Sequence, residues 1–355
     1  MIQSPLFTLV NEVQSLWQEK PRGLAFKVDE RWLQAAKDRT EFYELLQKFN
    51  STEGNLEGPL THALQEVERN TRTVLMVLDQ ENIREDNDDV IIASLPLKGR
   101  RVSYQVSAFC DDSAYGDQQS AKCFGSAFFV ANGVVATAAH VVMRPGEKFE
   151  DLRFVHCVMM NGPGHFNEVI RVAKNRVFKP KNTELRTGCY YYSDAGSDFA
   201  LIPVEPAFEG VPATTTTEVV KLPDLRVYNA AFQNNKHGKN DMVNRKIYSL
   251  GHGLGLPLKV SGGKIIYAPR TFPYYETHIQ LLGGNSGSPV FDAVTHELIG
   301  IYIRGTEKLV VKEGRNCITV KEPTDKPPAD REGQECQRLE LVMTALTKCN
   351  FTLET

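Results

Sequence analysis

Two rhythms of hydrophobic and polar positions run along the chain, and they change near residue 80. In residues 4–19, Leu6, Leu9, Val10, Val13, Leu16 and Trp17 recur at helical spacing behind Ser4 and Pro5, an N-cap followed by a first-turn proline. Pro21, Arg22 and Gly23 end that element. A second helix is predicted over residues 29–49, with Trp32, Ala36, Tyr43, Leu46 and Phe49 on one side and Asn50 as its stop. A third opens at Gly58 and Pro59 and carries Leu60, Leu64, Val67, Val74, Leu75 and Leu78. Three amphipathic helices need partners for their apolar stripes, so residues 1–80 are predicted to form a small α-helical bundle. It contains no catalytic pattern and reads as a regulatory or interaction module.

Residues 81–100 read as a linker, acidic and then basic. Asp79, Glu81, Glu85, Asp86, Asp88 and Asp89 crowd its start, and Lys98, Arg100 and Arg101 close it. Beyond it, short β-prone runs alternate with Gly, Pro, Asn and Asp. Strands are predicted at 102–109, 124–130, 134–139, 154–160, 168–173, 199–204, 246–250, 264–268, 288–291 and 298–303. Asn132 and Gly133 between two of them are a hairpin signal. Residues 322–333 are polar and proline-rich, hence a loop, and 334–348 read as a C-terminal helix. Residues 101–355 are therefore expected to be a mostly β domain, a barrel or a sandwich.

Composition narrows the function classes. Hydrophobic content of 41% and charged content of 24% are those of a soluble globular protein, and a formal net charge of −3 offers no general nucleic-acid surface. No apolar run approaches the ~18 residues of a membrane span. The first ten residues carry no cationic leader, which makes a cytoplasmic location the expectation, with export lacking a cleaved signal as the alternative. The seven cysteines are odd in number and contain no C-x-x-C, so reduced thiols are expected; Cys110 with Cys123 is the pair weighed. A metal site from His156, Cys157, His165 and Cys189 fits no zinc spacing, and no metal or other cofactor is expected.

Chemistry concentrates in three places. Leu281 and Leu282 lead into Gly283–Gly284–Asn285–Ser286–Gly287–Ser288–Pro289, a glycine-flanked serine. A serine hydroxyl needs a base to act as a nucleophile, and glycines let the backbone turn and present N–H groups to an oxyanion. Thr137–Ala138–Ala139–His140 puts a histidine, the natural general base at neutral pH, at a strand end. Ser197–Asp198 opens the apolar strand Phe199–Ala200–Leu201–Ile202, where a carboxylate can orient an imidazole; Asp194 is the local competitor.

Taken together, and in this order, these motifs resemble the chymotrypsin-like serine proteases. Gly125–Ser126–Ala127–Phe128–Phe129 looks like the family's strand before the histidine. Asn285 before the serine, with Gly251–His252–Gly253–Leu254–Gly255–Leu256–Pro257, is similar to the bacterial glutamyl-endopeptidase branch. The resemblance covers residues 100–320 and implies a chymotrypsin-like double six-stranded β-barrel with the site in the cleft between barrels. It implies His140, Asp198 and Ser286 as catalytic residues, and the N–H groups of Gly284 and Ser286 as the oxyanion hole. Gln280, Tyr302, Ile303, Arg304 and Gly305 would bind substrate. Asn285 stands where an activation-switch aspartate is found in digestive enzymes, and Gln280 and Tyr302 replace the charged and histidine pocket residues of trypsin-type and glutamyl-specific relatives. Arg304 and His278 could still favour an acidic side chain near the cut. The expected function is a serine endopeptidase acting on protein or peptide substrates, with the N-terminal helices meeting a regulatory partner. The alternative is a catalytically silent, protease-like binding module.

Overall fold

The computed structural model describes residues 66–349 except 68, 99, 101–107, 112–115, 117, 145–147, 157–168, 183–189, 195–196, 212–217, 234–239, 280, 306–308 and 321–332. The helices expected over 4–19 and 29–49, Gln280, and nearly all of the strand expected at 102–109 and of the loop at 322–333 lie outside the described residues.

The first half supplies β1 (Val74–Asp79), β2 (Ile83–Asp86), β3 (Asp89–Ile92), β4 (Ser94–Pro96), β5 (Gln119–Ala121), β6 (Gly125–Ala131), β7 (Val134–Thr137), the one-turn helix α1 (Ala139–Val142), β8 (Leu152–Val155), β9 (Ile170–Ala173), β10 (Val177–Pro180), β11 (Tyr190–Asp194) and β12 (Ser197–Pro206). Antiparallel pairing runs β10-β8-β1-β6-β7-β12, and β10 also pairs with β12, so six strands close into a barrel while β11 joins β12 from outside. The second half supplies α2 (Leu225–Ala231), β13 (Lys246–Gly251), β14 (Lys259–Tyr267), β15 (Tyr274–Ile279), β16 (Pro289–Asp292), β17 (Leu298–Arg304), β18 (Leu309–Val311), β19 (Ile318–Val320), β20 (Gln334–Gln337) and α3 (Leu339–Lys348). Its closed barrel runs β13-β14-β15-β20-β17-β16. The fold is mostly β, with two closed six-stranded barrels and a C-terminal helix.

Local chemistry explains most of these elements. The Asn132–Gly133 turn joins β6 to β7, with Ala131 opposite Val134 and Gly133 at φ +66°, a conformation glycine adopts without cost. Along β1, Leu75 and Val77 enter one core cluster with Phe129, Phe154 and Ile202, while Met76 and Leu78 enter another with Val90 and Val155. A strand buried on both faces shows no alternation.

That is why the third helix, expected to run through Val74, Leu75 and Leu78, is wrong at its end. Residues 74–79 are a barrel strand paired with β6 and β8, and an unbroken apolar run does not distinguish a buried strand from a buried helix. The expected boundary at residue 80 is corrected with it. The expected linker at 81–100 is also structured: β2 and β3 form a hairpin that β9 extends, and β4 pairs with β5. Two of its acidic residues pair with cations near the surface, Glu85 with Lys174 at 2.6 Å and Asp86 with Arg171. The C-terminal helix begins at Leu339 rather than 334, because Gln334–Gln337 is the strand that closes the second barrel between β15 and β17.

The segment before β1 ties the barrels together. Val67 packs in the cluster that contains Tyr248, Phe291 and Leu298 of the second barrel. Buried Asn70 donates to Tyr248 Oη at 2.8 Å and to the His296 carbonyl at 3.2 Å. His296 holds φ +57° in the β16–β17 hairpin, a structural role for that histidine. Among the described residues no helix is long and apolar enough to cross a membrane.

Cys110 is bonded to Cys317, not to Cys123, and is not a free thiol. A parallel bridge between Phe109 and Ile318 sets the two cysteines side by side, a proximity created by topology across 207 residues. Closing a loop of that length stabilises a fold by roughly 5 kcal/mol in the chain-entropy picture. Alkylation of the protein unfolded in denaturant without reductant, followed by digestion and mass spectrometry, should recover a linked Cys110–Cys317 peptide and alkylated Cys123. An alkylated Cys110 peptide would refute the pairing.

Candidate active site

β7 ends at Thr137, and Ala138 keeps an extended conformation (φ −75°, ψ 140°) before the single turn of α1. Ala139, Val141 and Val142 are buried and fasten that turn, which leaves His140 on its exposed side. Asp198 is the second residue of β12. Its Oδ1 accepts the backbone N–H of His140 at 3.0 Å, and its Oδ2 lies 2.6 Å from His140 Nδ1. A carboxylate only accepts, so the shared proton sits on Nδ1 and leaves Nε2 as a base. Asp194 pairs with Ser197 in the β11–β12 ladder, and the carboxylate on His140 is that of Asp198.

The serine loop is held at nearly every peptide. Gly283 O accepts from Leu254 N–H at 2.6 Å, Gly284 O from Ser126 Oγ at 3.1 Å, and Ser286 O from Ser126 N–H at 2.8 Å. Gly287 N–H donates to Tyr302 O at 2.8 Å and Ser288 N–H to Asn285 O at 2.9 Å. A trans peptide carries its C=O and N–H on opposite sides, so the bond to Leu254 turns Gly284 N–H the other way. Among the described residues, no backbone carbonyl takes the N–H of Gly284 or of Ser286. Gly287 sits at φ +86°, and a Cβ there would lie 2.1 Å from Ser126 O, so glycine is required twice over.

The segment 251–255 forms the cradle of this loop. The Asn285 side chain is buried and donates to Leu282 O at 3.1 Å. A Cβ at Gly253 would lie 2.4 Å from Asn285 Nδ2, and one at Gly251 would lie 2.0 Å from Ser288 Oγ. Between them His252 is fully buried, its N–H on Ser126 Oγ at 2.9 Å and its Nδ1 3.0 Å from Leu256 O. Burial lowers its pKa to about 4, against the upward pull of the Leu256 carbonyl. Cys123, the other nucleophile nearby, contacts His252 O and Gly125 O, and burial raises its thiol to about 11, which keeps it protonated.

His140, Asp198 and Ser286 line one cavity of about 410 Å³ with Leu281, Gly283, Tyr302, Ile303, Arg304 and Gly305. Ser286 Oγ lies 3.5 Å from Ile303 O. Every described residue expected to bind substrate is therefore at the site, while His278, opposite Lys264 on β15, is not among the lining residues. Two partners have no signal in the sequence. Gln334 accepts the Tyr302 hydroxyl at 2.6 Å and stands where a Cβ on Gly305 would fall. Glu335 accepts Arg304 Nε at 2.6 Å. Of the four residues weighed as a zinc site, His156 alone is described, and no cluster of three candidate metal ligands occurs among the described residues.

Residues 125–301 match the family model of the trypsin-like peptidase domain, and this region belongs to the trypsin-like serine protease family. No curated protein matches the sequence. Among solved structures, the chain is similar to the inactive form of a serine-to-alanine mutant of Rv3671c from M. tuberculosis H37Rv, at 12% identity and a TM-score of 0.38 over 82% of this chain and 92% of that one. It is also similar to a serine endoprotease from Yersinia pestis, at 14% identity and a TM-score of 0.40 over 81% of this chain and 66% of that one.

His252 makes stability pH-dependent. Its folded pKa lies below the ordinary 6.5, so its contribution is complete above pH 6.5 and is lost as pH falls toward 4, by about 3 kcal/mol. Denaturant unfolding from pH 7 to 4 should be steeper in pH for wild type than for His252→Gln; equal slopes would contradict this. Gly251→Ala, with no room for its methyl group, should displace Asn285 and Ser288 and lower the unfolding midpoint by several degrees, as calorimetry would show.

Proposed function

We propose that the protein is a serine endopeptidase in which Ser286 is the nucleophile, His140 the base and Asp198 the group that orients it. The observation that carries this reading is the His140–Asp198 pair opening on the same cavity as Ser286, beside two backbone N–H groups that no backbone carbonyl among the described residues takes. Ser286 Oγ attacks the scissile carbonyl carbon while its proton passes to His140 Nε2. The tetrahedral oxyanion takes the N–H groups of Gly284 and Ser286, a donor pair worth roughly 3–4 kcal/mol per member. Collapse breaks the C–N bond, and His140 returns the proton to the departing amine. Water, deprotonated by the same imidazole, then hydrolyses the acyl ester and restores Ser286.

The substrate is a peptide or protein chain in extended conformation. Ile303 O, already facing Ser286 Oγ, would accept the N–H of the residue before the cut, and Gly305 would continue the ladder. Arg304 is ion-paired with Glu335, which offsets its attraction for an acidic side chain. Tyr302 offers a phenol where glutamyl-specific relatives offer histidine, so a glutamate before the cut is not imposed. The residues before Val67 would act as a regulatory or targeting module.

The 3.5 Å contact between Ser286 Oγ and Ile303 O is the feature a silent binding module would retain. A fluorophosphonate probe separates the readings. It should label wild type and spare Ser286→Ala, with peptide hydrolysis reduced at least ~10⁴-fold in Ser286→Ala and about as far in Asp198→Asn. Equal labelling of wild type and Ser286→Ala would remove the assignment.

A further inference from the structure

Asp198 is gripped from three directions, and one of the three belongs to neither His140 nor the first barrel. Gln337, the last residue of β20, is fully buried. Its Oε1 accepts the backbone N–H of Asp198 at 3.0 Å. Its Nε2 donates to Pro273 O at 2.9 Å and to Arg338 O at 3.3 Å. The carboxamide therefore has its oxygen and both donors engaged, and only one orientation of the amide satisfies all three partners. Pro273 O is itself fixed by Arg338 N–H at 2.8 Å, so the amide rests on a rigid corner of the second barrel.

We infer that Gln337 is a positioning residue of the reaction, a clamp from the second barrel that sets the Asp198 backbone so that its carboxylate meets His140 Nδ1. The inference rests on the proposed protease reading. The serine loop and Gln337 belong to the same barrel, so the clamp aligns the His140–Asp198 pair with the nucleophile through one hydrogen bond. An apolar side chain at 337 would bury the Asp198 N–H without a partner, and the start of β12 would shift to find one. A carboxylate at 337 would keep an acceptor for that N–H and lose both donors, and it would add a negative charge beside Asp198. The remaining charge at the cavity, Arg304 paired with Glu335, is the same in either case.

The test uses the full chain with Gln337→Met and Gln337→Glu, and with Cys336→Ala as a control that thins the same strand without touching Asp198. In Gln337→Met, kcat should fall by roughly 10- to 100-fold with KM unchanged. The His140 titration midpoint, followed by NMR of its imidazole, should move down because the carboxylate supports the imidazolium less well. In Gln337→Glu the midpoint should move up. Cys336→Ala should lower the unfolding midpoint while leaving kcat and the His140 titration as in wild type. A wild-type His140 midpoint in whichever Gln337 variant folds overturns the inference. So does a loss confined to stability, as in the control. The titration needs no turnover, so wild type that neither hydrolyses peptides nor takes the phosphonate would overturn the protease reading while the Gln337 result stands by itself.

Discussion

One residue of the first barrel, Ser126, holds the serine loop of the second. Its N–H binds Ser286 O, its hydroxyl binds Gly284 O, and the same hydroxyl receives the N–H of His252. The proposed chemistry needs an imidazole from one barrel and a hydroxyl from the other, and nothing in either barrel alone sets their separation. Ser126 follows Gly125, where a Cβ would lie 2.7 Å from Ser286 O, so the strand can approach the loop only because that position is bare. The close fit of β6 to the loop is thus a property of a Gly-Ser pair, and the polar bonds that result are sheltered from water, where they are strongest.

The loop is held equally from behind. Gly251 and Gly253 leave space for the Asn285 side chain, and Leu254 at φ +56° turns its N–H onto Gly283 O. The conformation of the two N–H donors therefore comes from packing and hydrogen bonds within the folded chain. Asn285 finds its partner in Leu282 O, three residues away. In the proposed reaction, a preorganised donor pair of this kind would need no rearrangement as charge develops on a substrate oxygen.

What the sequence made visible was chemistry attached to the ends of elements. His140, Asp198 and Ser286 each follow or open a run whose β character is plain, and each has a residue type suited to one role. The strand containing Val74 to Leu78 was misread because both its faces are buried, and period-two alternation exists only when one face meets water. Gln334 and Gln337 read as helix because glutamines carry no strand signal; in the fold Gln334 accepts from Tyr302, and the Gln337 amide is engaged by Arg338 beside it and by Asp198 and Pro273, partners that only barrel closure supplies. The Cys110–Cys317 bond was hidden for the same reason, since the adjacency of Phe109 and Ile318 is a product of topology. Local chemistry was legible, and partnerships formed across the fold were not.

Asn70 and Val67 have a mechanical consequence. The chain reaches the first barrel only after passing a buried anchor in the second, where Asn70 is bonded to Tyr248 and to the His296 carbonyl. Tension on the residues ahead of Val67 meets that anchor before it reaches β1, and it loads a core that both barrels share, since Val67 clusters with Tyr248, Phe291 and Leu298 of the second barrel and with Val74, Phe128 and Phe199 of the first. The connection works as a cable clamp does at a housing wall: a pull on the outer length is taken up at the joint between the two barrels.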